Sequence, residues 1–314
     1  MNLLRLPLLV LVDIFKKMGF REKFLISFLS KRAKKTLKMT CVIPHFSFHL
    51  FHNLHIETEK SSWDSNTRIQ TGTCCIEGEE MRLSISSNTL ILRDEPHRKW
   101  LLLAGHLLDT FKISTTSLEF NDTPPCVTLD FLKMINERPH CIRSVAYCRN
   151  VTRYSRFIPR IMDECTEVTD LIWIDAIVPD NVVYTPPRPF KAKELRVWKA
   201  TGWFNFESFM ISLRIDVGLE YIANRTAQSY NSFFTKWMDS DTRLQEVTLS
   251  NIKHSEYKKI MDALNNQGTQ RTLENDWIEV KRRNGSEFFF RRTSMSIDIY
   301  TKKAYLEVLK EKKN

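Results

Sequence analysis

The sequence predicts a mixed protein of the α+β / α/β class. A small three-helix module comes first, a β-rich segment follows it, and an irregular strand–helix repeat then ends in a β-hairpin. Three observations carry this. The first forty or so residues hold three short helical patterns, the first of them apolar over well more than half its circumference. Pairs of strand-forming apolar residues recur every 24 to 28 residues between Leu118 and Leu249. An Asn-Gly pair at 284–285 stands between two alternating runs, the strongest short-range hairpin signal.

The helical module comes first in the chain. Pro7 fits the first turn of a helix, where its missing N–H costs nothing. From Leu8 to Met18 the only polar residues are Asp13, Lys16 and Lys17, whose i, i+3, i+4 spacing puts them on one face. Gly19 is expected to stop this helix. A second apolar helix carries Phe24, Leu25, Phe28 and Leu29, and Ser30 is the expected N-cap of a third, basic helix through Lys38. A surface helix needs an apolar stripe of roughly 100°. The first helix exceeds that, and three short helices cannot bury the excess among themselves. The surplus must face the rest of the chain or a partner, and the residues alone leave both open. The apolar stretch Leu6–Val12 does not read as a secretory signal, because it runs straight into Asp13, Lys16 and Lys17 without a small-residue cleavage site.

From about 40 to 112 the chain reads as antiparallel β, with alternating runs at Phe46–Glu57, Arg68–Ile76 and Met81–Leu92 and a helix over His97–Asp109. From about 113 to 265 the recurring pairs are Leu118/Phe120, Val145/Tyr147, Leu171/Trp173, Leu195/Val197, Leu219/Tyr221 and Val247/Leu249. Helical pieces lie between several of them, at Leu129–Ile135, Phe157–Cys165, Phe233–Met238 and Tyr257–Leu264. Strand plus helix at a period in the twenties is the leucine-rich-repeat class of solenoid. The asparagine ladder of regular repeats is mostly missing, with Asn121 and Asn251 the nearest candidates, and an ordinary α/β sheet is the alternative. Stacked repeats would present a curved, strand-lined surface suited to gripping another protein. The terminal hairpin spans about 276–293, with one face expected to be packed and the other charged. A last helix, Lys303–Lys312, is basic and expected to be mostly solvated.

The 314 residues carry a net charge of +10, spread over several clusters rather than along one track, so nucleic acid is not expected as a partner. Seven cysteines without regular spacing read as reduced thiols of a cytoplasmic and/or nuclear protein. No run reaches about 18 apolar residues, so no membrane span is expected. The sequence lacks phosphate-loop, dinucleotide, nucleophile-elbow, zincin and kinase motifs, and no catalytic residue or cofactor is expected. His45, His49, His52 and His55 have the density of a zinc site. Their stretch alternates like a strand, which would send the rings to different faces, so no metal is expected.

The segment LLRLPLLVLVDIFKKMGFREKFLISFLSKRAKKTLK, over about residues 1–39, resembles the F-box as written in the large nematode F-box families. The matching features are Leu6-Pro7, the apolar helix with Val12, Ile14, Phe15 and Met18, then Glu22, and then Ser27-Phe-Leu-Ser30-Lys31-Arg32. Residues 40–314 resemble the F-box-associated region (type 2). That likeness is carried by Tyr230–Met238, Arg243–Leu249 and the hairpin at Asn284-Gly285. The resemblance implies a non-catalytic substrate adaptor of an SCF-type ubiquitin ligase. Its F-box would bind a Skp-type adaptor, and through it a cullin, while the C-terminal region binds an unknown substrate protein. Carried over by position, Leu6, Pro7, Leu8, Val12, Phe15, Phe24, Leu25, Ser27, Ser30 and Lys31 form the adaptor face or the core beneath it. Ala33 stands where larger F-boxes carry a tryptophan, which implies a smaller share of the contact for the third helix. A scaffold without a role in ubiquitination, or a basic nucleic-acid-binding protein, are the alternatives.

Overall fold

A computed structural model describes residues 6–58, 69–149, 157–177, 184–199, 203–219, 225–274, 276–293 and 295–311. The chain forms two compact units, Met1–Val145 and Ala146–Asn314.

The first unit opens with α1 (Leu8–Lys17), α2 (Phe20–Ile26) and α3 (Lys31–Thr40). Then come β1 (Val42–Leu50), β2 (Leu54–Glu57), β3 (Gln70–Ile76), β4 (Glu79–Ile85), β5 (Thr89–Leu92), α4 (His97–Thr110), β6 (Lys112–Asn121) and α5 (Pro125–Asn136). Strand β7 (Cys141–Arg149) carries the chain across the unit boundary. The strand order is β3-β4-β5-β2-β1-β6. Neighbours from β3 to β1 are antiparallel, as the alternating runs predict. The turns after Leu50 and after Ile85 split two of those runs into strand pairs. The parallel pairing of β1 with β6 joins residues 70 apart, beyond the reach of local patterning.

One face of this sheet is aromatic. Phe46, Phe48, Leu50, Leu118 and Phe120 are buried there, and Phe131 of α5 packs edge-on against Phe48 at 5.5 Å. Phe20 of α2 reaches the same face, 5.7 Å from Phe46 and 5.9 Å from Phe111. The stop at Gly19 is corrected. Helix α1 ends because Met18 turns extended (φ −79°, ψ 144°), and Gly19, with φ −69°, is the N-cap of α2. No left-handed residue is needed there.

The second unit contains α6 (Ile158–Glu164), β8 (Leu171–Ala176), β9 (Glu194–Trp198), a 3-10 turn (Phe206–Phe209), β10 (Arg214–Gly218), α7 (Ala227–Asp239), β11 (Glu246–Ser250) and α8 (His254–Asn265). It closes with β12 (Thr269–Thr272), β13 (Trp277–Lys281), β14 (Glu287–Arg292), β15 (Ser296–Thr301) and α9 (Lys302–Glu311). The order is β8-β9-β10-β11-β15-β14-β13-β12, with β8 through β11 parallel and the remaining neighbours antiparallel.

Five of the six recurring pairs lie on strands and the four helical pieces on helices, but the sixth pair misses its strand and one register differs. The inward residues of β8 are Ile172 and Ile174, not Leu171 and Trp173. A run of four apolar residues has no alternation, so its pattern does not reveal which parity faces the core. In β10 the inward pair is Ile215 and Val217; Leu219 lies just past the strand and Tyr221 outside the described residues. The two ladder candidates serve elsewhere. Asn121 donates to Glu119 Oε1 at 2.7 Å, and Asn251 is exposed with φ +53°.

The hairpin forms across 277–292, with Gly285 at φ +85° donating its N–H to the Arg282 carbonyl at 3.0 Å. One face packs Val280, Phe288 and Phe290, and the other carries Glu279, Lys281, Glu287 and Arg291 as expected, though part of that charged face is also covered. Phe288 meets Trp237 at 5.4 Å, while Phe289 on the other side stacks on Tyr305 of α9 at 4.0 Å. Helix α9 is mostly solvated, as expected, with Lys302, Lys303, Leu306, Glu307, Lys310 and Glu311 exposed, yet one side of it is docked. It buries Ala304 and packs Tyr305 and Val308 on Trp277, Phe289 and Tyr300.

Candidate functional site

The surface of α1–α3 is the candidate docking site, and the sequence candidates divide there into support and surface. Phe15 and Phe24 are fully buried. Ser27 is buried too; its hydroxyl donates to the Phe24 carbonyl at 2.6 Å and lies 2.8 Å from His106 Nε2. The hydroxyl has one proton and gives it to the carbonyl, so His106 carries its own proton on Nε2 and donates it to Ser27. Ser30 caps α3, accepting from the Ala33 N–H at 3.1 Å. Leu6 and Val12 are half-buried, while Pro7, Lys31 and Leu25 are exposed. Leu8 is the first residue of α1, and its side chain lies outside the description.

Four large apolar side chains outside that candidate set are exposed on the module: Leu9 at 80% and Val10 at 43% on α1, Leu29 at 69% in the turn after α2, and Met39 at 64% on α3. Leu9 and Val10 precede Asp13 by four and three residues, so they continue the face of Asp13, Lys16 and Lys17, all exposed. That phase relation was readable in the sequence. The polar end of this helix face marked solvent, and the same face carries its surplus apolar area. The third helix turns Ala33 and Leu37 inward and Lys31, Arg32, Lys35 and Lys38 outward. Ala33 is wholly buried, so a tryptophan on that side of α3 has no room.

The module is seated on α4. Phe28 stacks on His106 with centroids 4.7 Å apart and planes 5° from parallel, and Phe24 meets the same ring edge-on at 6.3 Å. Burial, with Lys34 adding to it, pushes the His106 pKa down to about 4, with Asp109 opposing. The folded state therefore refuses a proton that an unfolded histidine, with a pKa near 6.5, accepts. Stability is lost as pH falls from about 6.5 toward 4. Burial lowers His55 and His140 in the same sense, whereas the bond to Glu119 raises His49, which acts in the opposite direction. The expected result isolates His106 by difference: wild type loses stability relative to His106→Gln over that interval in denaturant titrations, and parallel pH profiles would refute it.

The histidine-rich stretch is corrected in one respect. His45 and His49 share a face of β1, and His55 stands opposite His49 on β2, with their rings 5.8 Å apart. His49 Nδ1 lies 2.8 Å from Glu119 Oε2, and His55 Nε2 lies 3.4 Å from Glu57 Oε1. Among the described residues no three His, Cys, Asp or Glu are grouped to hold a metal ion. No helix among them is long and apolar enough to cross a membrane.

Three short helices with a buried aromatic seam and an unspent apolar face define a docking module. The F-box domain model matches residues 3–43, from before α1 into the start of β1. The N-terminal module is an F-box domain. No characterised protein and no solved structure matches the chain.

Proposed function

We propose that this protein is the substrate-recognition adaptor of an SCF (Skp–cullin–F-box) ubiquitin ligase and catalyses nothing itself. In this reading α1 and α2 bind a Skp-type adaptor and through it a cullin, and residues 40–314 bind the substrate protein. The observation that carries it is the F-box match at 3–43 together with Leu9, Val10 and Leu25 left exposed on those helices and Leu29 in the turn after α2. Two such helices cannot keep that much apolar surface in water without cost, and a partner chain removes it. Leu6, Pro7, Val12, Leu25 and Lys31 belong to the contact, Phe15, Phe24 and Ser27 hold it from beneath, and the exposed Ser30 caps α3.

We read the parallel strands β8–β11, with their intervening helices, as an irregular leucine-rich-repeat-like array within an F-box-associated (type 2) region. Their spacing in the twenties and common inward face support this. The contribution to ubiquitination is proximity: substrate lysines are held at high effective concentration near the charged conjugating enzyme, in the cytoplasm and/or nucleus. The test is co-purification with a Skp-type adaptor. Leu6→Ala combined with Pro7→Ala is expected to weaken capture about tenfold, and undiminished retention would count against the reading.

A further inference from the structure

The open face of the sheet in the second unit carries a binding feature that the F-box does not explain. Along β8 to β11 the residues facing away from the buried aliphatic side are half-exposed or exposed, apart from Gly218. Register places Trp173, Arg196, Asp216 and Thr248 in one row across the four strands. Leu171, Glu194, Arg214 and Glu246 form the next row. Helix α9 covers the continuation of this face over β13–β15, where Trp277, Phe289 and Tyr300 are buried.

The charges of this face pair off with one left over. Arg196 lies 2.5 Å from Glu194, Arg214 lies 3.2 Å from Glu246, and Lys199 lies 2.8 Å from Asp175. Among the described residues no cation bridges Asp216. Burial raises its pKa, against the Trp198 side chain, the attraction of Arg196 beside it and the Ser250 hydroxyl, which donates at 3.4 Å. Arg196 bridges Glu194 and only attracts Asp216 from beside it, so these two carboxylates share one cation in a partly desolvated place. Beside it Trp198 is 38% exposed and meets Trp173 edge-on at 5.0 Å. Indole faces attract cations, most strongly where water is partly excluded. The chain as a whole is strongly basic at +10, whereas here a carboxylate lies beside the Trp198 indole.

We infer that the Trp173–Trp198 corner with Asp216 is a cation-binding pocket that receives a lysine or arginine side chain from an extended segment of a partner protein. The proposal rests on the substrate-adaptor reading, because it gives that substrate a chemistry: an exposed basic residue flanked by chain able to lie across open strands. An incoming guanidinium or ammonium would neutralise Asp216 and lie on the Trp198 ring. The existing pairs of Arg196, Arg214 and Lys199 would keep those cations engaged with their own carboxylates.

The test uses the full-length chain in complex with its Skp-type adaptor and a blocked pentapeptide, Thr-Val-Arg-Val-Thr, with norleucine and glutamate versions as controls. Indole fluorescence is titrated with each. The arginine peptide is expected to bind about 5–30-fold more tightly than the norleucine peptide, the span of a partly to fully desolvated cation–aromatic contact. Asp216→Asn, which keeps shape and removes only charge, is expected to erase that preference, and Trp198→Ala to reduce it several-fold. Equal affinity for the three peptides, or a preference unchanged in both variants, overturns the inference. Adaptor capture by the same variants separates the two ideas. If capture is intact and the preference absent, the pocket alone fails; if the wild-type chain captures no adaptor, the adaptor reading fails whatever the peptide does.

Discussion

Replacing Phe24 with alanine is expected to destabilise the first unit by about 3–5 kcal/mol, the usual span for removing a buried phenylalanine. Phe24 has no exposed surface, and its ring lies 4.9 Å from Phe28, 6.3 Å from Phe20 and 6.3 Å from His106. Those neighbours belong to α2 itself, the turn after it and α4, so the gap cannot close without moving the F-box helices off their seat. The adjacent Leu25 points the other way, 47% exposed. Leu25→Ala is expected to change stability by less than about 0.5 kcal/mol, as surface substitutions do. Denaturant midpoints of the two variants measure the contrast. Similar midpoints would show that α2 does not pack as described, and would remove the physical reason for separating support from surface on this helix.

That contrast also marks how much of the site the sequence holds. The helices of the F-box and the Ser30 cap follow from periodicity and capping chemistry, which are local, whereas the burial of Phe15 and Phe24 was left open between core and contact face. The two faces of α1 were separable by phase, yet the surplus apolar residues Leu9 and Val10 sit on the side that Asp13 and the lysines mark as solvent. Amphipathic reasoning assigns such residues inward because it assumes a helix serves only its own core. Elsewhere the limits are those of range and parity. The parallel pairing of β1 and β6 depends on residues 70 apart. The register of β8 depends on a strand without alternation, and the cover over Phe289 comes from a basic helix whose Ala304, Tyr305 and Val308 form too sparse a stripe to announce a core. The Asp216 pocket is invisible in one dimension, since Trp173, Trp198, Asp216 and Ser250 meet only when four strands align.

Placing aspartate at both Leu9 and Val10 is expected to reduce capture of a Skp-type adaptor by about 100-fold or more while leaving the thermal midpoint unchanged or slightly higher. The loss has two sources. Each exposed aliphatic side chain that a partner covers contributes roughly 1.5–3 kcal/mol. A carboxylate buried in its place without a cation adds a desolvation penalty of its own. Stability moves the other way, because both positions lie in the first turn of α1, which carries no acidic residue. Acidic side chains near a helix N-terminus stabilise it by about 0.3–1 kcal/mol each. Binding and folding are therefore driven in opposite directions by one pair of substitutions, which a merely misfolded variant cannot imitate. If the variant folds as well as wild type and still captures the adaptor at full strength, the exposed end of α1 is not the docking face, and the apolar surplus of the F-box has some other occupant.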